Sequence, residues 1–142
     1  MTERRLVILE EFGLVPALEW LAEQTQDRFD VEVALDVEAL DEVRPQREVE
    51  RAAFRIAQLA LDNAVRHGAP SAIALSTRCA TRQVALSIRD DGIGIAPEEG
   101  RAAASRNRAG LADMRVEADR VGGALDVNPA RPGTEVTLAW AA

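Results

Sequence analysis

The stretch Phe54-Arg55-Ile56-Ala57-Gln58-Leu59-Ala60-Leu61-Asp62-Asn63-Ala64-Val65-Arg66-His67 lies within the longest helical pattern of the chain. Phe54, Ala57, Leu61, Ala64 and Val65 recur at three- and four-residue steps, so a helix is predicted from about Glu48 to His67. Gly68 and Pro70 end it. One apolar stripe on such a helix needs a second layer to cover it, and the residues that follow read as a sheet. Ala72–Thr77 and Gln83–Arg89 are joined by the polar stretch Arg78–Arg82. Val84, Leu86 and Ile88 alternate cleanly in the second segment, which predicts an antiparallel hairpin.

Before the long helix, Pro16 to Gln26 reads as another, with Leu18, Leu21 and Ala22 on its apolar face and Pro16 suited to a first turn. Val31, Val33 and Leu35 alternate as a half-buried strand. The acidic segment Val37–Arg47, with Pro45, reads as a loop or short turn. After the hairpin, Asp90 to Arg108 is rich in Gly, Ala, Arg, Asn and Ser and reads as a long mobile loop, a kind that is usually functional. A helix resumes with Leu111, Met114, Ala118 and Val121 on one face and stops at Gly122-Gly123. Ala124–Val127 and Glu135–Trp140 close the chain as strands around the turn Pro129–Gly133. The expected fold is α+β: a two-layer sandwich of about three helices on one face of a mixed, largely antiparallel sheet.

The 142 residues fit one domain, 1–142, and 47% apolar with 29% charged residues suits a globular chain rather than a disordered one. No apolar run approaches the roughly 18 residues of a membrane span, so no direct membrane insertion is expected. Met1-Thr2-Glu3-Arg4-Arg5 leads into apolar residues broken by Glu10 and Glu11 without a cleavage site, and a cytoplasmic location is expected. One cysteine, Cys79, excludes an internal disulfide and a multi-cysteine metal site. The net charge of -7 argues against nucleic acid as a partner. Residues 1–50 carry 14 acids against five arginines, whereas residues 51–142 carry 10 acids against 12, so a small anion finds the second part more hospitable. There is no lysine, which removes the Walker-type P-loop.

Three constellations bear chemistry-capable groups, and each has a bland reading. Asn63, Arg66 and His67 stand at i, i+3 and i+4 on one helix face: a polar helix end, or an amide, a cation and an imidazole suited to a magnesium–phosphate group. Asp90-Asp91-Gly92-Ile93-Gly94 follows a strand: an ordinary turn, or a backbone that a ligand approaches closely beside an acid able to accept from an exocyclic amine. Gly110-Leu111, Met114, Gly122-Gly123 and Gly133-Thr134 are caps, turns and core, or a ligand wall.

Taken in order and spacing, these segments resemble the GHKL (Bergerat-fold) ATPases, which include histidine kinases, DNA gyrase, MutL proteins and heat-shock chaperones. Within that superfamily they are similar to the catalytic, ATP-binding domain of the nitrate-sensor class of bacterial sensor histidine kinases. Phe12-Gly13-Leu14-Val15-Pro16-Ala17-Leu18, within residues 1–15 and just beyond, looks like the connection from a dimerisation domain. Phe54–Gln58 leading to Asn63 and His67 looks like the N box, Asp90–Gly94 like the first glycine box, and Gly110-Leu111 with Met114 and Gly122-Gly123 like the second. Gly133-Thr134 resembles the last.

The resemblance implies ATP and Mg²⁺ as cofactors and two-component phosphotransfer as the function. Asp90 would accept from the adenine amino group with support from Thr134, Gly92 and Gly94 would give the ring room, and Met114 would pack on it. Asn63 would be the Mg²⁺ ligand, with Arg66 and His67 near the phosphates. Ile95–Ala109 would be the ATP lid, with Arg101, Arg106 and Arg108 able to fold onto phosphate oxygens. The implied partners are ATP or ADP, a histidine-containing dimerisation domain of the same kinase and, indirectly, a response regulator.

Two departures stand out. Leu59 occupies the place of the glutamate that usually stands four residues before the magnesium-binding asparagine, and neither Gln58 nor Asp62 points the same way on a helix. Arg108 stands where a glycine usually begins the second glycine box. In addition His67, the sole histidine, belongs to the nucleotide site, so the chain holds no phosphoacceptor histidine. An anti-sigma-factor serine kinase of the same fold, and a degenerate nucleotide-binding or interaction module, are the alternatives.

Overall fold

Alternation of small or polar with apolar residues builds a five-stranded sheet in the computed structural model, which describes residues 2–42, 44–68, 70–80, 82–92, 101–130 and 132–141. The strands are β1 (Glu32–Asp36), β2 (Ala72–Ala80), β3 (Gln83–Asp90), β4 (Ala124–Pro129) and β5 (Thr134–Ala141), in the order β1-β2-β3-β5-β4. β1 pairs with β2 in parallel and every other neighbour is antiparallel, so the sheet is mixed and largely antiparallel, as expected. The register puts Val33 beside Ile73, Leu75 beside Ile88, Leu86 beside Leu138 and Val84 beside Trp140. These buried residues form one face, and that face carries the core.

Helices α2 (Leu14–Arg28), α4 (Arg47–Asn63) and α5 (Arg101–Arg120) form the second layer, with α4 between the other two. Ala53, Ile56 and Ala57 are fully buried, and their small or branched side chains let α4 sit close to the sheet. α1 (Thr2–Phe12) packs on α2 and α4, burying Leu9, and the four-residue α3 (Ala39–Glu42) interrupts the acidic connection. A π-helical turn, Ala64–Gly68, continues α4 immediately after Asn63; such turns change the phase of the side chains that follow them.

One expectation needs correcting. The segment 90–108 is not a loop throughout: α5 begins at Arg101, so 101–108 is helical backbone. Arg101-Ala102-Ala103-Ala104 are strong helix formers, and three alanines outweigh the polar composition that suggested a loop. Residues 93–100 lie outside the described part, as do the side chains of 101–109, and with them the lid arginines Arg101, Arg106 and Arg108.

Candidate functional site

Asp90 ends β3 in phase with Val84, Leu86 and Ile88, so its carboxyl faces the helix layer, not the open face of the sheet. Pairing of Arg89 with Glu135 makes Thr134, at the start of β5, its neighbour across the strands. Thr134 belongs to the same face, being in phase with the buried Val136, Leu138 and Trp140. The N–H of Gly92 donates to Asp90 Oδ1 at 2.9 Å, and Gly92 itself is buried.

Burial pushes the Asp90 carboxyl above its usual range; the N–H groups of Gly92 and Thr134 oppose that shift, and neighbouring Asp91 adds to it. An ionised carboxylate has about four acceptor positions, so two backbone donors leave capacity for a ligand amine. Gly133 presses its backbone on the same residue. At φ +97°, a Cβ there would run into the Asp90 carbonyl oxygen and stand 2.6 Å from its carbonyl carbon, so no larger residue fits without moving β3 from β5.

The second half of the site joins α4 to α5. Asn63, partly exposed at the end of α4, has its amide directly against Gly110 of α5. A Cβ at Gly110 would stand 2.7 Å from Asn63 Nδ2 and 2.9 Å from Oδ1. Leu111 is half-buried against the core, and Met114, one turn further along α5, is fully buried within it.

Arg66 is occupied elsewhere. Its Nε donates to Asp62 Oδ1 at 2.6 Å, and both residues line a groove of about 330 Å³ between α2 and α4, along with Leu21, Arg28 and Leu59. Leu59 is a partly buried wall of that groove. The side chain of His67 and the whole of Gly94 lie outside the described residues.

Asp91, which the motif treats as one letter of a turn, has a firm structural task. It accepts from the N–H and Oγ–H of Ser71 (2.8 and 2.6 Å) and from the N–H of Ala72 at 3.0 Å. The Ser71 hydroxyl bond chiefly holds its carboxyl below the usual range. Asp91 thereby ties the end of β3 to the start of β2, next to Asp90. Glu50 is a second residue the motifs did not reveal: only 3% exposed, it accepts from the N–H of Leu14 at 2.9 Å. A signal existed, because Glu50 precedes Phe54, Ala57 and Leu61 by four, seven and eleven residues and so falls on their apolar stripe.

Comparison with known proteins identifies the family. Residues 48–141 match the family described as histidine kinase-, DNA gyrase B- and HSP90-like ATPase. The sensor histidine kinase NarS of Mycobacterium tuberculosis is 27% identical over 132 residues, covering 92% of this chain and 30% of NarS. The nitrate/nitrite sensor protein NarX of Escherichia coli is 32% identical over 133 residues, covering 93% of this chain and 21% of NarX. The chain thus spans less than a third of either relative. Among solved structures, the ATP-binding domain of PrrB from Mycobacterium tuberculosis superposes with a TM-score of 0.60 at 23% identity, covering 84% of this chain and 87% of that one, which is a likeness of fold.

Proposed function

The chain belongs to the histidine kinase-, DNA gyrase B- and HSP90-like ATPase family as the ATP-binding catalytic domain of a sensor histidine kinase, and from that footing we propose that it binds Mg²⁺·ATP and presents the γ-phosphate to a histidine on a separate dimerisation domain. The observation that carries the reading is the pairing of two half-sites on one side of the sheet: the half-buried Asp90 framed by Gly92, Gly133 and Thr134, and the Asn63 amide held against Gly110.

In this reading Asp90 accepts from the adenine amino group and Thr134 supports the contact. Gly92 and Gly94 leave room for the ring, and Met114, with its adaptable thioether, packs beneath it. Asn63 offers an amide oxygen, a hard donor fitted to a hard cation, and Gly110 and Leu111 complete the wall at the phosphate end. Mg²⁺, when bound, neutralises charge on the triphosphate. Arg66 and His67 serve the phosphates, which requires Arg66 to exchange Asp62 for phosphate oxygens; that exposed pair contributes about 1 kcal/mol or less, so the exchange is easy.

The chain's contribution to transfer is then positioning and charge complementarity. With Leu59 in the groove wall, no carboxylate stands four residues before Asn63, and the proton of the acceptor imidazole is taken by an acid on the partner domain. Residues 1–15 act as the connection to that domain, residues 1–142 form one folding unit, and the setting is cytoplasmic. The response regulator is met only through the partner. The test is transfer of labelled γ-phosphate from ATP to a separately supplied dimerisation domain carrying the histidine. Labelled histidine is the expected product; ATP binding without transfer would favour a nucleotide-binding module that does no chemistry.

A further inference from the structure

The first backbone N–H groups of a helix have no partner within it and carry the positive end of its dipole, so the residue before the helix usually caps them with a side-chain oxygen. Before α2 that residue is Gly13, which has no side chain to offer. The cap comes instead from 36 residues away: Glu50, in the first turn of α4, accepts the N–H of Leu14 at 2.9 Å through Oε2, while Arg44 stands 3.8 Å from its Oε1.

Glu50 is nearly sealed from solvent whereas the Arg44 side chain is 66% exposed, so the α2 terminus is the carboxylate's chief buried partner. Gly13 turns the chain between α1 and α2 at φ +92°, where a Cβ would lie 3.2 Å from Glu50 Oε2. The joint is thus closed to larger residues both by backbone conformation and by the carboxylate itself. α1 is tied to the same end of α4 by Glu10, which is 2.6 Å from Arg51 and 3.8 Å from Arg47.

We propose that Glu50 is a positioning residue: by capping α2 from α4 it fixes the turn at Gly13 and so sets the angle at which α1 leaves the nucleotide-binding body. α4 is the common reference. Its first turn holds α1 and α2, and its last residue is Asn63, about 20 Å further along the same rod. A domain joined through α1 is thereby oriented against the metal-ligand end of α4. This deepens the phosphotransfer reading, yet the angle itself is a property of the chain alone.

The test measures that angle without nucleotide. Val7, 51% exposed on α1, is changed to cysteine and spin-labelled together with the native, exposed Cys79 on β2, and the inter-label distance distribution is recorded. The wild-type background and Glu50→Gln, whose amide oxygen can still accept from Leu14, are expected to give one narrow peak. Glu50→Ala and Gly13→Ala are expected to lose it while far-ultraviolet circular dichroism and ADP affinity stay as in the parent. If Glu50→Ala does not fold, Gly13→Ala strains the same joint with the carboxylate still present. An unchanged narrow peak in either folded variant overturns the proposal. Failure of ADP to bind the parent chain would instead strike the nucleotide reading and leave this measurement standing.

Discussion

Gly110→Ala should separate the metal role proposed for Asn63 from the stability of the fold. The new methyl would sit 2.7 Å from Nδ2 and 2.9 Å from Oδ1, so the amide must retreat by roughly 0.5–1 Å to regain van der Waals separation. The obstacle is the free end of a flexible side chain, not backbone, so the shift is inexpensive: about 0.5–1.5 kcal/mol for an off-rotamer Asn63. Against that, alanine replaces glycine inside α5, which returns about 0.5–1 kcal/mol. Net stability should therefore stay within about 1 kcal/mol of wild type.

The metal is far less forgiving, because Mg²⁺ demands near-octahedral ligands at about 2.0–2.1 Å. Displacing a group that orients a ligand typically weakens metal binding by about 10–100-fold. Calorimetric titration of ATP with Mg²⁺ and with chelator, beside urea denaturation of both proteins, reads the two effects separately. The expected variant is as stable as wild type and largely deaf to Mg²⁺. Wild-type Mg²⁺ dependence in Gly110→Ala would refute the reasoning, as would a stability loss beyond about 3 kcal/mol, which would mean that Asn63 cannot move.

Three further outcomes follow from the same geometry. Gly133→Ala adds a side chain at φ +97° against the Asp90 backbone and should destabilise by about 2–4 kcal/mol in urea titration; a loss below about 1 kcal/mol would show that β3 and β5 separate there without strain. Burial raises the Asp90 carboxyl, so on acidification nucleotide affinity should begin to fall at a higher pH than an ordinary aspartate dictates. The fold responds with the opposite sign: because the folded value exceeds the unfolded one, Asp90's own contribution to stability declines as pH rises through that interval, which a comparison of wild type with Asp90→Asn would show. Leu59→Glu should leave both ADP affinity and transfer to a supplied dimerisation domain unchanged, because the base stands on the partner; raised transfer would show that the missing carboxylate limits the step.

What could be read from the residues alone was whatever has a local period. Val84, Leu86 and Ile88 announced both β3 and the face that Asp90 would share, and the three- and four-residue steps around Phe54 announced α4. The turn after α4 was less legible. Asn63, Arg66 and His67 share a face of a regular helix, yet Asp62 stands one turn before Arg66 and captures its guanidinium in the structure. Spacing does not say which of two neighbours an arginine chooses. The joint at Gly13 was hidden for a different reason: its cap lies 36 residues away, and only the misplaced charge of Glu50 on an apolar stripe pointed to it. α5 starts a full ten residues before the first periodic apolar residue, Leu111, because alanines extend a helix without marking a face.

The most direct trial of the account is heat. Titrating ADP into folded wild-type protein in the presence of Mg²⁺ should give a saturable one-to-one isotherm, and the same titration of Asp90→Asn should be sharply weakened while the variant remains folded. No binding heat from the wild type, or equal affinity in the two proteins, would contradict the claim that this carboxylate recognises an adenine nucleotide.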